Sequence, residues 1–353
     1  MERKAVGLMS GGLDSILAVS LVKRQGIEVT GLHLITPFSA SPEKERSAMS
    51  SLAAELGIRP RVEETGVEYL AMLERPAHGY GKNVNPCIDC HVLMLRRARE
   101  VMEEEGASFV FTGEVLGERP MSQHRKALGI VEAESGLRGF LLRPLSALLL
   151  PVTRPEEEGV VERARLYGIS GRSRKPQMRL AEELGITRYP GPAGGCLLTD
   201  PVYSRKVRDL MRHGELTLEN AALLAAGRHF RLAGSAKLVV GRNQEENLFL
   251  EGRARPTDVV LSTFPVPGPV ALLRGGDNGC VELSARICAA HSDARRDAEV
   301  PVTWRRSGAG AGGGVTTETV GEGARPVEEE TGAVKRTVRV APLEPEELER
   351  YRI

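Results

Sequence analysis

Lys4-Ala5-Val6-Gly7-Leu8-Met9-Ser10-Gly11-Gly12-Leu13-Asp14-Ser15 decides how the rest of this chain is read. Residues 4–9 have the short apolar composition of a buried strand, and a helical pattern runs from 14 to about 25. The two glycines between them let the backbone approach a ligand and adopt conformations closed to other residues. A helix start offers unpaired N–H groups and a partial positive charge. Ser10 and Ser15 add hydroxyls, so the turn is a cradle for a phosphate or pyrophosphate. Asp14 brings a negative charge into that cradle, which makes sense if a Mg²⁺ ion lies between carboxylate and phosphates. No Gly-Lys-Ser/Thr follows, so this is not a Walker loop. The plain alternative is a Gly-Gly turn leading into a helix capped by Asp14.

Outward from this turn, two periods alternate. Residues 28–36 read as a strand, 41–56 as a helix closed by Gly57, and 61–64 as a weaker strand. Val92, Leu95, Ala98 and Met102 recur at three- and four-residue steps within a helix over 88–105; Gly106 ends it before a buried strand at 108–112. This alternation predicts an α/β fold with a parallel sheet and ligands beyond the C-terminal strand ends. After Ile169 the composition turns polar and basic, and a helix over 177–184 precedes the Pro/Gly turn Tyr189 to Gly195. Residues 203–212 and 218–226 read as helices. Strands are expected at 237–240, 247–250, 259–261 and 270–273, then a helix over 281–291 and further strand, an α+β module. The divisions expected are 1–170, a basic, cysteine-bearing helical extension at 171–230, and 231–353, with 308–314 as a flexible loop or linker.

A chain of 353 residues suits two or three domains. Its 48 Lys+Arg against 47 Asp+Glu exclude a polycation that coats nucleic acid nonspecifically, though not a local basic patch. The first apolar run is too short for a signal-peptide core, and no run of about 18 apolar residues suggests a membrane span. Five cysteines without an export signal do not make a disulfide scaffold, so the cytoplasm is the expected compartment.

Cys87-Ile88-Asp89-Cys90 opens a helix, whose start favours thiolate, and both thiols can face one point. Cys196 is a third candidate; Cys288, inside an apolar helix, reads as core packing. The three thiols admit capping with no shared role, persulfide chemistry, a [4Fe–4S] cluster with one open iron, or a zinc site needing a fourth ligand such as His91. Arg163, Arg165, Arg172, Arg174, Lys175 and Arg179 put six positive charges in seventeen residues, either a solvated face or a track for RNA phosphates.

Ser10-Gly11-Gly12-Leu13-Asp14-Ser15 resembles the PP-loop of N-type ATP pyrophosphatases, which split ATP between its α and β phosphates. Thr112-Gly113-Glu114-Val115-Leu116-Gly117 with Ser122-Gln123, and Leu142-Arg143-Pro144-Leu145 with Tyr167-Gly168-Ile169-Ser170, resemble segments of the tRNA 4-thiouridine synthases, over roughly residues 4–170. The resemblance implies ATP and Mg²⁺ held by Ser10, Gly11, Gly12, Asp14 and Ser15, with Thr112 and Gly113 completing the pocket. It also favours the cluster, since related thiolation enzymes pair a Cys-x-x-Cys with one distant cysteine. Asp14, Cys87, Cys90 and Cys196 are then the catalytic set. Three features depart from that family. No RNA-binding THUMP region precedes the loop, no lysine follows Arg-Pro-Leu, and no rhodanese domain is found, so a catalytic role of that lysine does not transfer.

Val240-Gly241-Arg242-Asn243, Ala254-Arg255-Pro256-Thr257-Asp258, Pro267-Gly268-Pro269-Val270 and Leu273-Arg274-Gly275 resemble the NFACT-type RNA-binding domain, over about 236–348. That resemblance implies a grip on tRNA, with Arg242, Asn243 and Arg274 acting beside Arg172, Arg174 and Lys175. The expected function is ATP-dependent tRNA thiolation giving 4-thiouridine, with sulfide or a cysteine desulfurase as sulfur donor. The rivals are a 2-thiouridine synthase and a nucleotide-dependent RNA- or ribosome-binding factor without thiolation activity.

Overall fold

β1 (Lys4–Leu8) is apolar on both faces because it is the middle strand of a five-stranded parallel sheet. With β2 (Glu28–Ile35), β3 (Arg59–Glu64), β4 (Phe109–Phe111) and β5 (Leu141–Leu142) the order is β3-β2-β1-β4-β5. The structure is a computed structural model that describes residues 3–39, 41–191, 196–307 and 335–353. The expected loop at 308–314 lies outside the described residues. The chain divides into two compact units at Ser204/Arg205.

In the first unit the helices are α1 (Leu13–Lys23), α2 (Pro42–Leu56), α3 (Val67–Glu74), α4 (Cys87–Glu105), α5 (Arg125–Glu134), α6 (Arg154–Glu157) and α7 (Lys175–Glu183), with α8 (Pro201–Arg212) at the division. Gly57 and Gly106 close α2 and α4 in the left-handed region, at φ 61° and 62°, where glycine carries no Cβ penalty. Ala18, Val22 and Ala53 pack with Phe109 and Phe111, while Val92, Leu95 and Ala98 pack with Val6 and Leu32. Burying each of the valine, leucine and phenylalanine side chains among these contributes roughly 1.5–3 kcal/mol. The outer strand β3 carries exposed Pro60 and a charged lattice in which Arg97 of α4 and Arg61 converge on Glu63. Hydrogen bonding from Arg97, outweighing burial, holds the Glu63 carboxyl at about 2.

The separate middle extension does not form. Leu180 and Ala181 of α7 join Leu13, Leu17 and Leu21 of α1 in one core, so residues 171–204 complete the first unit. Residues 205–230 belong to the second, where Leu223 packs with Val239 and Leu250. Short helices with one apolar face are buried by whichever neighbour offers a matching face, which composition does not reveal.

The second unit is a six-stranded antiparallel sheet of β6 (Arg228–Arg231), β7 (Lys237–Val240), β8 (Val259–Thr263), β9 (Val270–Arg274), β10 (Val300–Arg306) and β11 (Arg336–Val340), in the order β11-β10-β8-β9-β7-β6. Its helices are α9 (Leu218–Leu223), α10 (Gln244–Gly252), α11 (Gly279–Ala289) and α12 (Pro345–Tyr351). α11 covers one face through Val281, Ala285 and Cys288, and Cys288 is core packing as expected. The expected strand at 247–250 is instead part of α10. Asn243 accepts the Glu246 N–H and starts the helix, and a short apolar run cannot by itself distinguish strand from helix. Among the described residues no helix is long and apolar enough to cross a membrane.

Asp209 of α8 is 8% exposed and receives Arg231 at 2.6 Å and Lys237 at 3.0 Å, with Glu215 on Arg231 at 2.8 Å. Asp209→Ala strips buried Lys237 of its carboxylate, leaves partly buried Arg231 with Glu215 alone, and is expected to destabilise this unit by roughly 3–5 kcal/mol. Trp304 in β10, the single tryptophan, reports the denaturant midpoint that checks it.

Candidate nucleotide and thiol site

β1 and β4 are neighbours whose connections leave in opposite directions across the sheet, and at such a switch point a crevice opens beyond the strand ends. Ser10 to Ser15 follows β1, and Thr112-Gly113 follows β4. Gly11 adopts φ +73°, where other residues are strained. Gly12 is the N-cap of α1, and no side chain caps the helix start. Gly113 comes closest, since a Cβ there would lie 2.5 Å from the Asp14 carbonyl carbon and 2.6 Å from the Ser15 nitrogen. Ser15 donates to the Gly12 carbonyl at 2.8 Å, and Ser10 Oγ accepts the Gly12 N–H at 3.3 Å, so both hydroxyls shape the turn.

Asp14 Oδ1 is buried with no hydrogen-bond partner. Burial pushes its carboxyl up, and Arg174 and Arg119 draw it back. An orphaned carboxylate oxygen at an uncapped helix start, with two arginines acting on it, fits a divalent cation carried on a polyphosphate. Glu118 adds a second carboxyl close enough for Asp14 to raise it, after burial.

Thr112 does not present its hydroxyl to this crevice. It donates to Glu114 at 3.1 Å. Glu114 is 7% exposed and also takes Arg143 at 2.9 Å and His91 at 2.8 Å. Burial alone would raise its carboxyl; Arg143 and His91 outweigh that and hold it at about 2. This clamp ties the end of β4 to α4 and to the Arg-Pro-Leu segment. Gln123 accepts the Arg119 N–H at 3.1 Å and the Gly117 N–H at 2.7 Å, bracing the loop that carries Arg119.

Cys87 opens α4, with Asn85 donating to its sulfur at 3.1 Å. Asp89 accepts the Ala77 and His78 N–H groups and pins the preceding loop. The expectation that the helix start lowers both thiols fails at Cys90. Burial pushes that thiol up to about 12; the Tyr69 hydroxyl, 3.6 Å away, offsets this in part, and Cys196 and Cys87 add to it. Cys196 is exposed, yet its charge acts on Cys90 and is acted on by Cys87. The three thiols therefore share one locality. Phe38 packs edge-on against Tyr69 at 5.9 Å and Tyr203 at 6.0 Å, and both tyrosines feel the thiols. Among the described residues no three His, Cys, Asp or Glu side chains stand close enough to hold a metal ion. Arg119 acts on Cys196 as well as on Asp14, joining the two chemistries.

The RNA candidates separate. Arg172 and Lys175 are exposed and Arg174 half-buried, and none forms an ion pair among the described residues. Arg163 and Arg165 are paired with Glu156 and Glu162. In the second unit the three expected donors are engaged internally. Arg242 is bidentate on Glu246, Asn243 caps α10, and Arg274 holds buried Asp258 at 2.7 Å while donating to Asn220 at 2.9 Å. Residues left out by sequence reading are Arg119, Glu118 and Gln177 beside Asp14, and Arg205, Arg208 and Arg212 at helical spacing on α8. Arg119 lies inside the motif Thr112 to Gln123, which was the available signal.

Gly113→Ala is expected to push the loop after β4 away from the first turn of α1 and weaken ATP binding at least tenfold, about 1.4 kcal/mol, with the far-UV circular dichroism of the protein retained; calorimetry and circular dichroism check it. Arg143→Leu leaves buried Glu114 with only His91 and Thr112 and should cost about 3–5 kcal/mol at neutral pH. In the native protein Glu114 lies below its unfolded value, so its contribution is full above the ordinary carboxylate range and is lost as pH falls towards 2. In the variant the carboxyl rises, so the deficit should shrink between pH 7 and pH 5 in urea titrations.

Comparison with known proteins matches residues 1–149 to the family described as Thiamine biosynthesis protein (ThiI), and residues 227–322 to the NFACT protein RNA binding domain. A protein of Thermococcus kodakarensis named "Probable tRNA sulfurtransferase" is 28% identical over 184 residues, 50% of this chain and 44% of its own. The tRNA-specific 2-thiouridylase MnmA of Syntrophomonas wolfei is 28% identical over 192 residues, 51% of this chain and 52% of its own. The chain thus spans about half the length of the relatives it matches. Among solved structures, the U34-tRNA thiolase NcsA from Methanococcus maripaludis with its [4Fe-4S] cluster aligns at 18% identity over 64% of this chain and 70% of that one, with a TM-score of 0.34. The chain joins a segment similar to ThiI to a segment similar to the NFACT RNA-binding domain.

Proposed function

We propose that this protein is an ATP-dependent tRNA thiolation enzyme. The observation that carries the reading is the uncapped glycine turn with its orphaned Asp14 oxygen, set within the charge of Arg119, which also acts on the thiol locality. Ser10, Gly11, Gly12 and Ser15 hold the phosphates of ATP, with Gly113 as the floor of the pocket. Asp14 would hold Mg²⁺, which neutralises the polyphosphate and the departing pyrophosphate. A uridine carbonyl oxygen attacks the α-phosphate, pyrophosphate leaves, and sulfur then displaces AMP from the ring carbon. The activation is needed because a carbonyl oxygen is a poor leaving group and AMP a good one.

Cys87, Cys90 and Cys196 are the sulfur-handling groups. The donor set suits a [4Fe–4S] cluster in its chemistry, with three thiols and neither carboxylate nor imidazole among them, although the thiols are not drawn together to ligand distances here. When bound, such a cluster would supply an iron site able to bind hydrosulfide. Burial resists ionisation of the Cys90 thiol, and a bound metal would remove that proton outright. Arg172, Arg174 and Lys175 beside the crevice, and the second unit with Arg205, Arg208 and Arg212, provide the contacts for tRNA phosphates. We assign the product as 4-thiouridine on the motifs Thr112 to Gln123 and Leu142 to Leu145; the 2-thiouridine alternative differs only in which carbonyl is activated.

Mass spectrometry of tRNA nucleosides from cells with and without the protein tests this, and the thionucleoside that disappears names the carbonyl. Unchanged thionucleosides would leave the RNA-binding-factor reading instead. Asp14→Ala should lower tRNA-dependent pyrophosphate release by roughly 10²-fold or more, the scale of a lost transition-state contact. Anaerobically reconstituted protein should carry about four irons, lost in Cys87→Ser; colourless, iron-free wild type would remove the cluster.

A further inference from the structure

We infer that Gln177 of α7 is a positioning residue of the nucleotide site, its amide orienting the Asp14 carboxylate towards the divalent cation that accompanies ATP. The inference rests on the nucleotide reading above. It adds to it a residue from a segment beyond the matched residues 1–149.

Gln177 is fully buried, at 0% exposure, and neither its amide nitrogen nor its amide oxygen has a hydrogen-bond partner. A buried, unbonded amide carries a desolvation cost that an apolar side chain of the same size does not. Packing does not account for it, because α7 meets α1 through Leu180 and Ala181 against Leu13, Leu17 and Leu21. A polar group beside Gln177 is Asp14, whose Oδ1 is likewise buried and without a partner. The Gln177 amide lies near enough to draw the Asp14 carboxyl down, yet the two side chains complete no well-aligned hydrogen bond. Two unsatisfied polar groups on adjoining helices, next to an uncapped helix start, are poised for a third component.

A carboxamide suits this place better than the alternatives. Arg174 and Arg119 already supply positive charge to Asp14, and Glu118 supplies negative charge. A third cation would neutralise the carboxylate and compete with the metal. A neutral donor fixes the direction of one carboxylate oxygen and leaves the charge in place for the metal. Gln177 is in the same helix that brings Arg174, so α7 delivers both groups in a single packing event.

The test uses the full chain, α,β-methylene ATP as a non-cleavable probe, and calorimetric affinities with and without Mg²⁺, alongside thermal unfolding of the ligand-free protein. Gln177→Leu should unfold at the wild-type temperature or above it, since an unbonded amide has been removed. It should bind the analogue without Mg²⁺ as wild type does, and lose about tenfold of the Mg²⁺-dependent gain in affinity, within the usual range of coupling between two ligands. Gln177→Met, closer to glutamine in length, is read in the same way should leucine disturb the helix packing. A lower unfolding temperature with the Mg²⁺-dependent gain intact would make Gln177 structural and overturn the inference. So would variants that match wild type in every respect, or a wild type whose affinity ignores Mg²⁺. Wild type that binds no analogue under either condition overturns the nucleotide reading itself.

Discussion

In the first unit the chain leaving β4 meets the first turn of α1 with no room for a side-chain carbon between them. Gly113, leaving β4, lies against the peptide that joins Asp14 to Ser15 in the first turn of α1. That approach fixes the distance between the phosphate turn and the loop that carries Glu114, Glu118 and Arg119. Parallel pairing of β1 with β4 sets it up, and Phe109 and Phe111 hold β4 from beneath. A crevice at such a junction follows from the strand order alone; what makes this one chemical is that the turn has only glycine and two serines to shape it, and leaves its aspartate unsatisfied.

Around that contact the charges fall into two kinds. Glu114 with Arg143 and His91, and Asp209 with Arg231 and Lys237, are closed sets in which each buried ion meets an opposite one. Their net contribution to stability is small because desolvation offsets attraction, but each specifies one arrangement of the segments it joins. Asp14, Glu118, Arg119 and Arg174 form an open set, mutually influential but not paired off. Closed sets hold architecture, whereas open ones are where an incoming charged molecule finds partners.

The parallel sheet was legible because β1, β2 and β4 are apolar on both faces, a pattern that only a doubly covered sheet requires. Helix ends at Gly57 and Gly106 were legible because glycine is the residue that the left-handed stop favours. The glycine turn between β1 and α1 was legible as a string of small and hydroxyl residues between two periods. What escaped depends on partners distant in sequence. Arg242 and Arg274 read as free donors until Glu246 and Asp258 are found on them. Cys90 reads as an activated thiol until its burial is known. Asn247 to Leu250 reads as a strand until Asn243 caps the helix it belongs to. Gln177 carries no local signal at all, since a glutamine near a helix start is ordinarily solvated.

The outer strand β3 bears on how this molecule behaves among its copies. A parallel sheet that ended in a smooth row of free peptide groups would template the addition of a strand from another chain. Here one border presents a proline, which has no N–H to offer, amid arginines locked onto glutamates. The opposite border, β5, is two residues long and gives an intruder almost nothing to register against. Both margins of the sheet are thereby poor seeds for intermolecular stacking, so a crowded solution of this protein has little backbone through which to aggregate from its first unit.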